Sequence, residues 1–404
     1  MISLAFDLSN IGTLLLFIVI IAFLIAWHEL GHLLVAKKCN VYCYEYAIGF
    51  GPVLYKNTKK ETHICIRAIP LGGFVKMAGE EGLEEDEVLT DNNGNELPSD
   101  RVLSNKSCGK RALVMAAGGL MNMLLAIICF YFYVSFNPIQ ISETEKVTGF
   151  AQLDRSNQVR IALEDSVLHD AGMETWDKIT FIETNLNNGE YKSFEIENFI
   201  DITSAINECV PENKGDVQNI KITYNDVSEN KTKTIEVSRN MYSDVDENGK
   251  EVLKLSTIGL SQNIKIHEYN ALTGLYGAWH FMGYYTVEVC RSFGELFKGN
   301  MEQLSGLVGI YSTIDTVATE GEIDFGVRVL NIIYIIGAIS FSLGFFNLIP
   351  FPALDGGRLV FVGIEAITKK KVNPNVEGTI HFVGIILLFA LMIIINVRDI
   401  INLF

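Results

Sequence analysis

Charge is missing from long parts of this chain. Residues 11–27, 112–136 and 329–354 contain no Asp, Glu, Lys, Arg or His, and residues 378–397 contain one ionisable side chain, His381. At about 1.5 Å of rise per residue, each run is near the roughly 20 residues that cross a bilayer core. Four separated runs of this purity argue against buried helices of a soluble protein. Basic residues are also in deficit, 32 Lys and Arg against 48 Asp and Glu in 404 residues, which gives a net charge of −16. That balance argues against a nucleic-acid partner and against strong attraction to anionic lipid. Cysteine is scarce as well. Of seven, Cys39, Cys43, Cys65 and Cys108 fall in one loop, and Cys209 alone lies clearly in the compact domain expected over 145–266, so no disulfide framework is implied. The CNVYC spacing of Cys39 and Cys43 has no matching second pair and reads as packing. The N-terminus has Asp7, no basic cluster and no small-residue cleavage site, so the first run reads as a retained span. No repeat of fixed period is present.

Basic residues set the orientation of spans. Lys37, Lys38, Lys56, Lys59, Lys60, Arg67, Lys76, Lys106, Lys110 and Arg111 lie between the first two runs, and Arg358, Lys369, Lys370 and Lys371 between the last two. Both connections are expected on the cytoplasmic side, with both termini and the acidic stretch from about 137 to 325 outside. The acidic tract 80–87 lies in the first loop but weighs little in this rule. Residues 41–76 alternate as strands do, with turns expected at 49–52 (GFGP) and 71–73, predicting short hairpins after the first span. Residues 145–266 predict a small α+β domain: a short helix, a turn at Gly172, a strand, an amphipathic helix over FEIENFIDITSAINEC, and two strands around a polar turn. Residues 268–300 are rich in aromatics and predict an amphipathic helix at the membrane surface. Glu288, Arg291 and Glu295 oppose reading it as a fifth span.

The first run ends in AWHELGHLL. On a helix His28 and His32 share a face, so both can ligate one zinc ion, while Glu29, turned about 100° away, can reach a zinc-activated water as general base. Ionisable groups inside a span cost several kcal/mol and persist mainly when paired, ligated or functional. Three within five residues read as a metal site. A catalytic zinc site needs a third protein ligand and an open position. Asp355, in NLIPFPALDGGR at 347–358, is the carboxylate closing the third run. Pro350 and Pro352 oppose continuous helix and Gly356 and Gly357 permit unusual dihedrals, so this stretch is suited to bring Asp355 to the histidines. The remaining histidines, His63, His169, His267, His280 and His381, have no ligand-like spacing and read as surface or packing residues.

With HELGH, GFGP, LGGFVKMAGE and NxxPxPxLDGG in this order, the chain resembles the site-2 protease family, the bacterial RseP/RasP type of intramembrane zinc metalloprotease (peptidase family M50). The order of elements in 145–266 and the phrase HDAGMETWDKI resemble a PDZ domain. The fold expected is an α-helical polytopic membrane protein with four transmembrane helices, membrane-associated β-hairpins and one extracytoplasmic α+β PDZ-like domain. Its divisions are 1–36 (first span with H-E-x-x-H), 37–110 (hairpins and loop), 111–136 (second span), 145–266 (PDZ-like), 268–325 (interfacial), 328–358 (third span with L-D-G) and 378–400 (fourth span). The resemblance implies Zn2+ held by His28, His32 and Asp355, Glu29 as base, and Asn347 and Asn122 as substrate contacts. It also implies that the strand around Gly72, Gly73, Phe74 and Val75 pairs with unwound substrate. The sequence departs from the family pattern at Gly119 and Leu307, where proline is usual.

The activity expected is intramembrane cleavage of single-span proteins such as anti-sigma factors or signal-peptide remnants, in a multi-pass protein of the bacterial plasma membrane. The alternative is an inactive membrane adaptor with structural zinc, which an intact Glu29 disfavours. A channel or transporter is disfavoured because no polar periodicity runs through the spans. The PDZ-like region could capture a C-terminal carboxylate or exclude bulky substrates, and the resemblance favours exclusion.

Overall fold

The computed structural model describes residues 8–80, 88–140, 146–161, 167–187, 189–211, 213–245, 251–297, 306–319 and 324–402. The acidic tract at 80–87 therefore lies outside it apart from Glu80. The chain divides into two compact units, Met1–Gly149 with Glu268–Phe404, and Phe150–His267.

The first unit opens with helix α1 (Leu8–Lys38), whose uncharged run continues without interruption into HELGH. Strands β1 (Cys43–Asn57) and β2 (His63–Met77) follow. Their register shows two bent strands. Ile64 partners both Tyr46 and Asn57, and Ala47 partners both Cys65 and Phe74. β1 therefore folds around Gly49 (φ +91°) and Gly51 (φ +81°), left-handed positions that suit glycine, and its two arms flank the first arm of β2. β2 bends at Gly72 (φ +126°), so that 73–77 return along the outer side of 43–48. Among the described residues, 73–77 are partnered on that one side alone. Val41, Cys43, Tyr46, Val75 and Met77 pack with Ala36 of α1 and with Val114 in a buried cluster. Helix α2 (Cys108–Phe136) and strand β3 (Pro138–Gln140) complete this half of the unit.

The second unit is an antiparallel sheet with one main helix. It comprises β4 (Lys146–Ile161), α3 (Val167–Asp170), β5 (Lys178–Leu186), β6 (Lys192–Glu195), α4 (Phe199–Asn207), β7 (Val217–Asp226), β8 (Lys231–Val245), β9 (Glu251–Leu255) and β10 (Leu260–Glu268). The strands run in the order β10-β4-β5-β7-β8-β9, with β6 beside β5. The alternation expected of a half-buried strand is clean in β7, where Ile220, Ile222 and Tyr224 are buried. They meet Ile202, Ala205 and Ile206 from one face of α4. That helix starts with a reciprocal cap: the Asn198 side chain accepts from Ile200 and Asp201 amides, and the Asp201 carboxylate accepts from the Asn198 amide.

The first unit resumes with α5 (Gly274–Phe297), α6 (Leu307–Thr319), α7 (Phe325–Leu348), α8 (Asp355–Thr368) and α9 (Pro374–Asn402). Among the described residues four helices are long and apolar enough to cross a membrane, Ile11–Lys38, Cys108–Phe136, Phe325–Leu348 and Asn375–Ile401. α5 is not one of them, and its aromatics pack on α2 and α7, Phe281 on Phe130 at 4.8 Å and Tyr285 on Phe341 at 5.4 Å. In lipid, burial against another helix gains little over burial in acyl chains, so small residues that permit close contact do more of the work. Gly119 and Gly344 serve α2 and α7 in this way: a Cβ on Gly344 would lie 2.6 Å from the Gly119 carbonyl oxygen. Glycine where the family pattern has proline thus has a local use. The apolar run through 354 is not one helix. α7 ends at Leu348, residues 349–354 are non-helical, and Asp355 begins α8.

Candidate metal centre

His28 and His32 lie one turn apart on α1 and point toward α2, which leaves room for them at Gly118. A Cβ there would sit against the Nε2 atoms of both rings. Asp355 arrives from the other side, at the first position of α8. Its Oδ2 stands 3.2 Å from His28 Nε2 and 3.3 Å from His32 Nε2, and the two Nε2 atoms are 3.2 Å apart. Among the described residues this is the one group of three or more His, Cys, Asp or Glu side chains able to hold a metal ion.

The triangle can be tested against zinc. Tetrahedral zinc with bonds of about 2.0–2.1 Å to nitrogen and oxygen has ligand–ligand edges of about 3.3 Å. All three edges agree to within about 0.1 Å. Oδ2 of Asp355 is buried and accepts no hydrogen bond, as expected of an atom whose partner is a cation. Two imidazoles and one carboxylate match the donor set of catalytic zinc sites, in which a fourth position stays open.

The ring atoms facing away from the triangle are held. His32 Nδ1 donates to the Val114 carbonyl oxygen at 2.8 Å, the outer bond that fixes a metal-binding tautomer. His28 Nδ1 is 3.2 Å from the Asn122 side-chain amide. With Nε2 facing the metal, Nδ1 carries the proton. The amide orientation that presents Oδ1 to it also gives a partner to that otherwise unpaired buried oxygen. Asn122, expected at the substrate, is fully buried behind His28, and its carbonyl accepts from Ser340 Oγ at 2.8 Å.

Glu29 is half-buried and faces the edge strand, its Cγ 3.3 Å from where a Cβ on Gly73 would lie. Gly73 is thus beside Glu29, while Gly72 lies against the Phe50 ring. The side chains of the next two residues are engaged elsewhere, Phe74 stacked with Phe50 and covered by Arg67, and Val75 buried against α1. Asn347, at the end of α7, lines a cavity of about 630 Å³ with Tyr285, Phe293, Tyr334, Phe346 and Leu354. Cys39 and Cys43 are buried in the apolar cluster with Ala36 and Val114 and, among the described residues, belong to no group able to hold a metal ion.

Sequence reading missed Gly118, whose contribution is an absent side chain, and His381, which accepts a hydrogen bond from the Ala353 amide at 2.8 Å. A signal for His381 existed, since it is the one ionisable group of its apolar run. Arg358 was read as a topology marker, yet it pairs with Glu80 and ties α8 to the end of β2.

The description "Peptidase family M50" matches residues 16–391. The chain is 30% identical to a zinc metalloprotease RasP of Oceanobacillus iheyensis over 97% of its own length and 99% of that protein. It is 29% identical to the regulator of sigma-W protease RasP of Bacillus subtilis, covering 98% and 99%. For a zinc metalloprotease RasP of Geobacillus kaustophilus the figures are 28%, 97% and 98%. With this match along nearly its whole length and four helices of membrane-crossing length, the chain belongs to peptidase family M50 and is a multi-pass membrane zinc metalloprotease.

Proposed function

We propose that the protein is an intramembrane endopeptidase that cuts transmembrane segments of single-span proteins, with His28, His32 and Asp355 as zinc ligands and Glu29 as general base. The observation that carries this reading is the near-equilateral triangle of ligand atoms at the end of an apolar helix. Zinc bound there would supply Lewis acidity and would lower the pKa of the attacking water to near 7. Glu29 takes the proton of the attacking water and hands it to the leaving amine. Val114 and Asn122 keep both imidazoles aimed.

A transmembrane helix satisfies its own backbone and must unwind before cleavage, and each unpaired group in the bilayer then costs several kcal/mol. The open edge at 73–77, beside Glu29, offers backbone partners by strand addition. Asn347 holds the peptide from the other wall. The distribution of basic residues supports a cytoplasmic position for the centre. The unit Phe150–His267 is then extracytoplasmic, PDZ-like in its order of strands and helix, and excludes substrates with bulky outer domains. One relative is named a regulator of sigma-W, which supports a substrate of the anti-sigma type; signal-peptide remnants are of the same single-span class.

The test is zinc content and cleavage of a model single-span substrate by wild type and Glu29→Gln. The variant should keep its zinc and lose about 10²–10⁴ in rate. Equal cleavage by both would remove Glu29 from the chemistry.

A further inference from the structure

Asp355 is delivered by the short connection 349–354, and that connection is strained. Ala353 has φ +80°, a region that a side-chain-bearing residue enters at a cost and keeps only where its surroundings enforce it. Pro352 before it has no N–H to give, so the donor at this bend is the Ala353 amide. It donates to no backbone carbonyl but to His381 Nδ1 of α9, at 2.8 Å. Because a backbone N–H only donates, His381 must accept at Nδ1 and carry its proton on Nε2. One turn along α9, Gly384 faces the same bend. A Cβ there would lie 2.6 Å from the Pro352 carbonyl carbon, Cβ and carbonyl oxygen. His381 and Gly384 are three residues apart and so share one helical face. Phe361 of α8 leans on the His381 ring at 5.6 Å.

We infer that His381 and Gly384 form a seat on α9 that holds Pro352 and Ala353 in this bend and thereby sets the reach of Asp355 toward the histidines. His381 is a positioning residue acting on the metal through Ala353, and it touches neither metal nor substrate. The inference rests on Asp355 being a zinc ligand. Nothing in the chemistry of the triangle itself requires a histidine on the fourth apolar helix, and its contribution is to the geometry of the third ligand.

The experiment is the zinc dissociation constant of the full-length protein, by chelator competition, for wild type, Asp355→Asn, His381→Leu, His381→Asn, and His381→Leu combined with Ala353→Gly. His381→Leu should weaken zinc about 10–100-fold, the range for residues that support metal ligands. His381→Asn should restore most of the affinity, because its Oδ1 stands near the position of Nδ1 and accepts the same hydrogen bond. Ala353→Gly should restore part of it in the Leu background, because glycine enters the left-handed region without penalty. A histidine that only filled space would not be rescued from position 353. Wild-type affinity in His381→Leu, with zinc lost from Asp355→Asn, would overturn the seat alone. So would a loss in His381→Leu that neither rescue repairs. Zinc retained at full affinity in Asp355→Asn would overturn the ligand assignment, and the seat with it.

Discussion

At the scale of single residues, the centre depends on an absence as much as on its ligands. Gly118 lies where a methyl group would meet both imidazole Nε2 atoms, so Gly118→Ala must displace the rings or separate α1 from α2. The expected result is a loss of zinc affinity of tenfold or more. Gly109, on the same helix, has open space around its Cα, and Gly109→Ala should bind zinc as wild type does. Zinc content of the two purified proteins checks this. The contrast shows what the sequence could carry. His28, Glu29 and His32 were legible because their spacing is itself the geometry, and Asp355 because a lone carboxylate ended an uncharged run. The roles of Gly118, of the Val114 carbonyl and of His381 depend on partners brought from elsewhere in the chain, His381 from 28 residues beyond its Ala353 partner, and no local pattern encodes such a pairing.

At the scale of elements, the two-strand region is the part whose use is least obvious from alternation alone. Strand character was readable in 41–76, but the order that leaves 73–77 at an edge follows from the bends at Gly49, Gly51 and Gly72, set by tertiary register. If that edge receives the substrate, Lys76→Pro, at an exposed position, should lower cleavage of a helical substrate roughly fivefold to thirtyfold, for one or two backbone hydrogen bonds at about 1 kcal/mol each, with zinc retained. Unchanged cleavage would remove the edge from the account. A second element-scale case lies in the other unit. The turn after β7 is locked by Asp226, whose carboxylate accepts from the Ser228 and Glu229 amides and from Lys233 Nζ at 2.6 Å. Lys233 and the turn donors hold that carboxyl well below the usual carboxylate range. A depressed carboxylate contributes stability that is present above its unfolded value, near pH 4, and is lost as pH falls through the folded value. Asp226→Asn should therefore speed hydrogen exchange of the turn amides at pH 7, and the difference from wild type should shrink as pH falls below about 4.

At the scale of the whole molecule, the sequence separated apolar runs from polar stretches cleanly enough to count four crossings, because an apolar run of that length has few other uses. The third span, drawn to 358, ends as a helix at Leu348, and the non-helical 349–354 lie where Pro350 and Pro352 were read as opposing continuous helix. Removal of 150–267 tests the proposed exclusion. Substrates with intact outer domains should then be cut by the shortened protein and spared by the full chain, as read by product formation in membranes. The same selectivity in both would refute exclusion. The composition of the metal centre can be read from the purified protein by zinc-edge X-ray absorption. Nitrogen and oxygen neighbours at about 2.0–2.1 Å with imidazole scattering from two rings are expected, and zinc itself should be lost when Asp355 or either histidine is replaced. A sulfur shell at about 2.3 Å, or an unaltered spectrum in those variants, would contradict this composition.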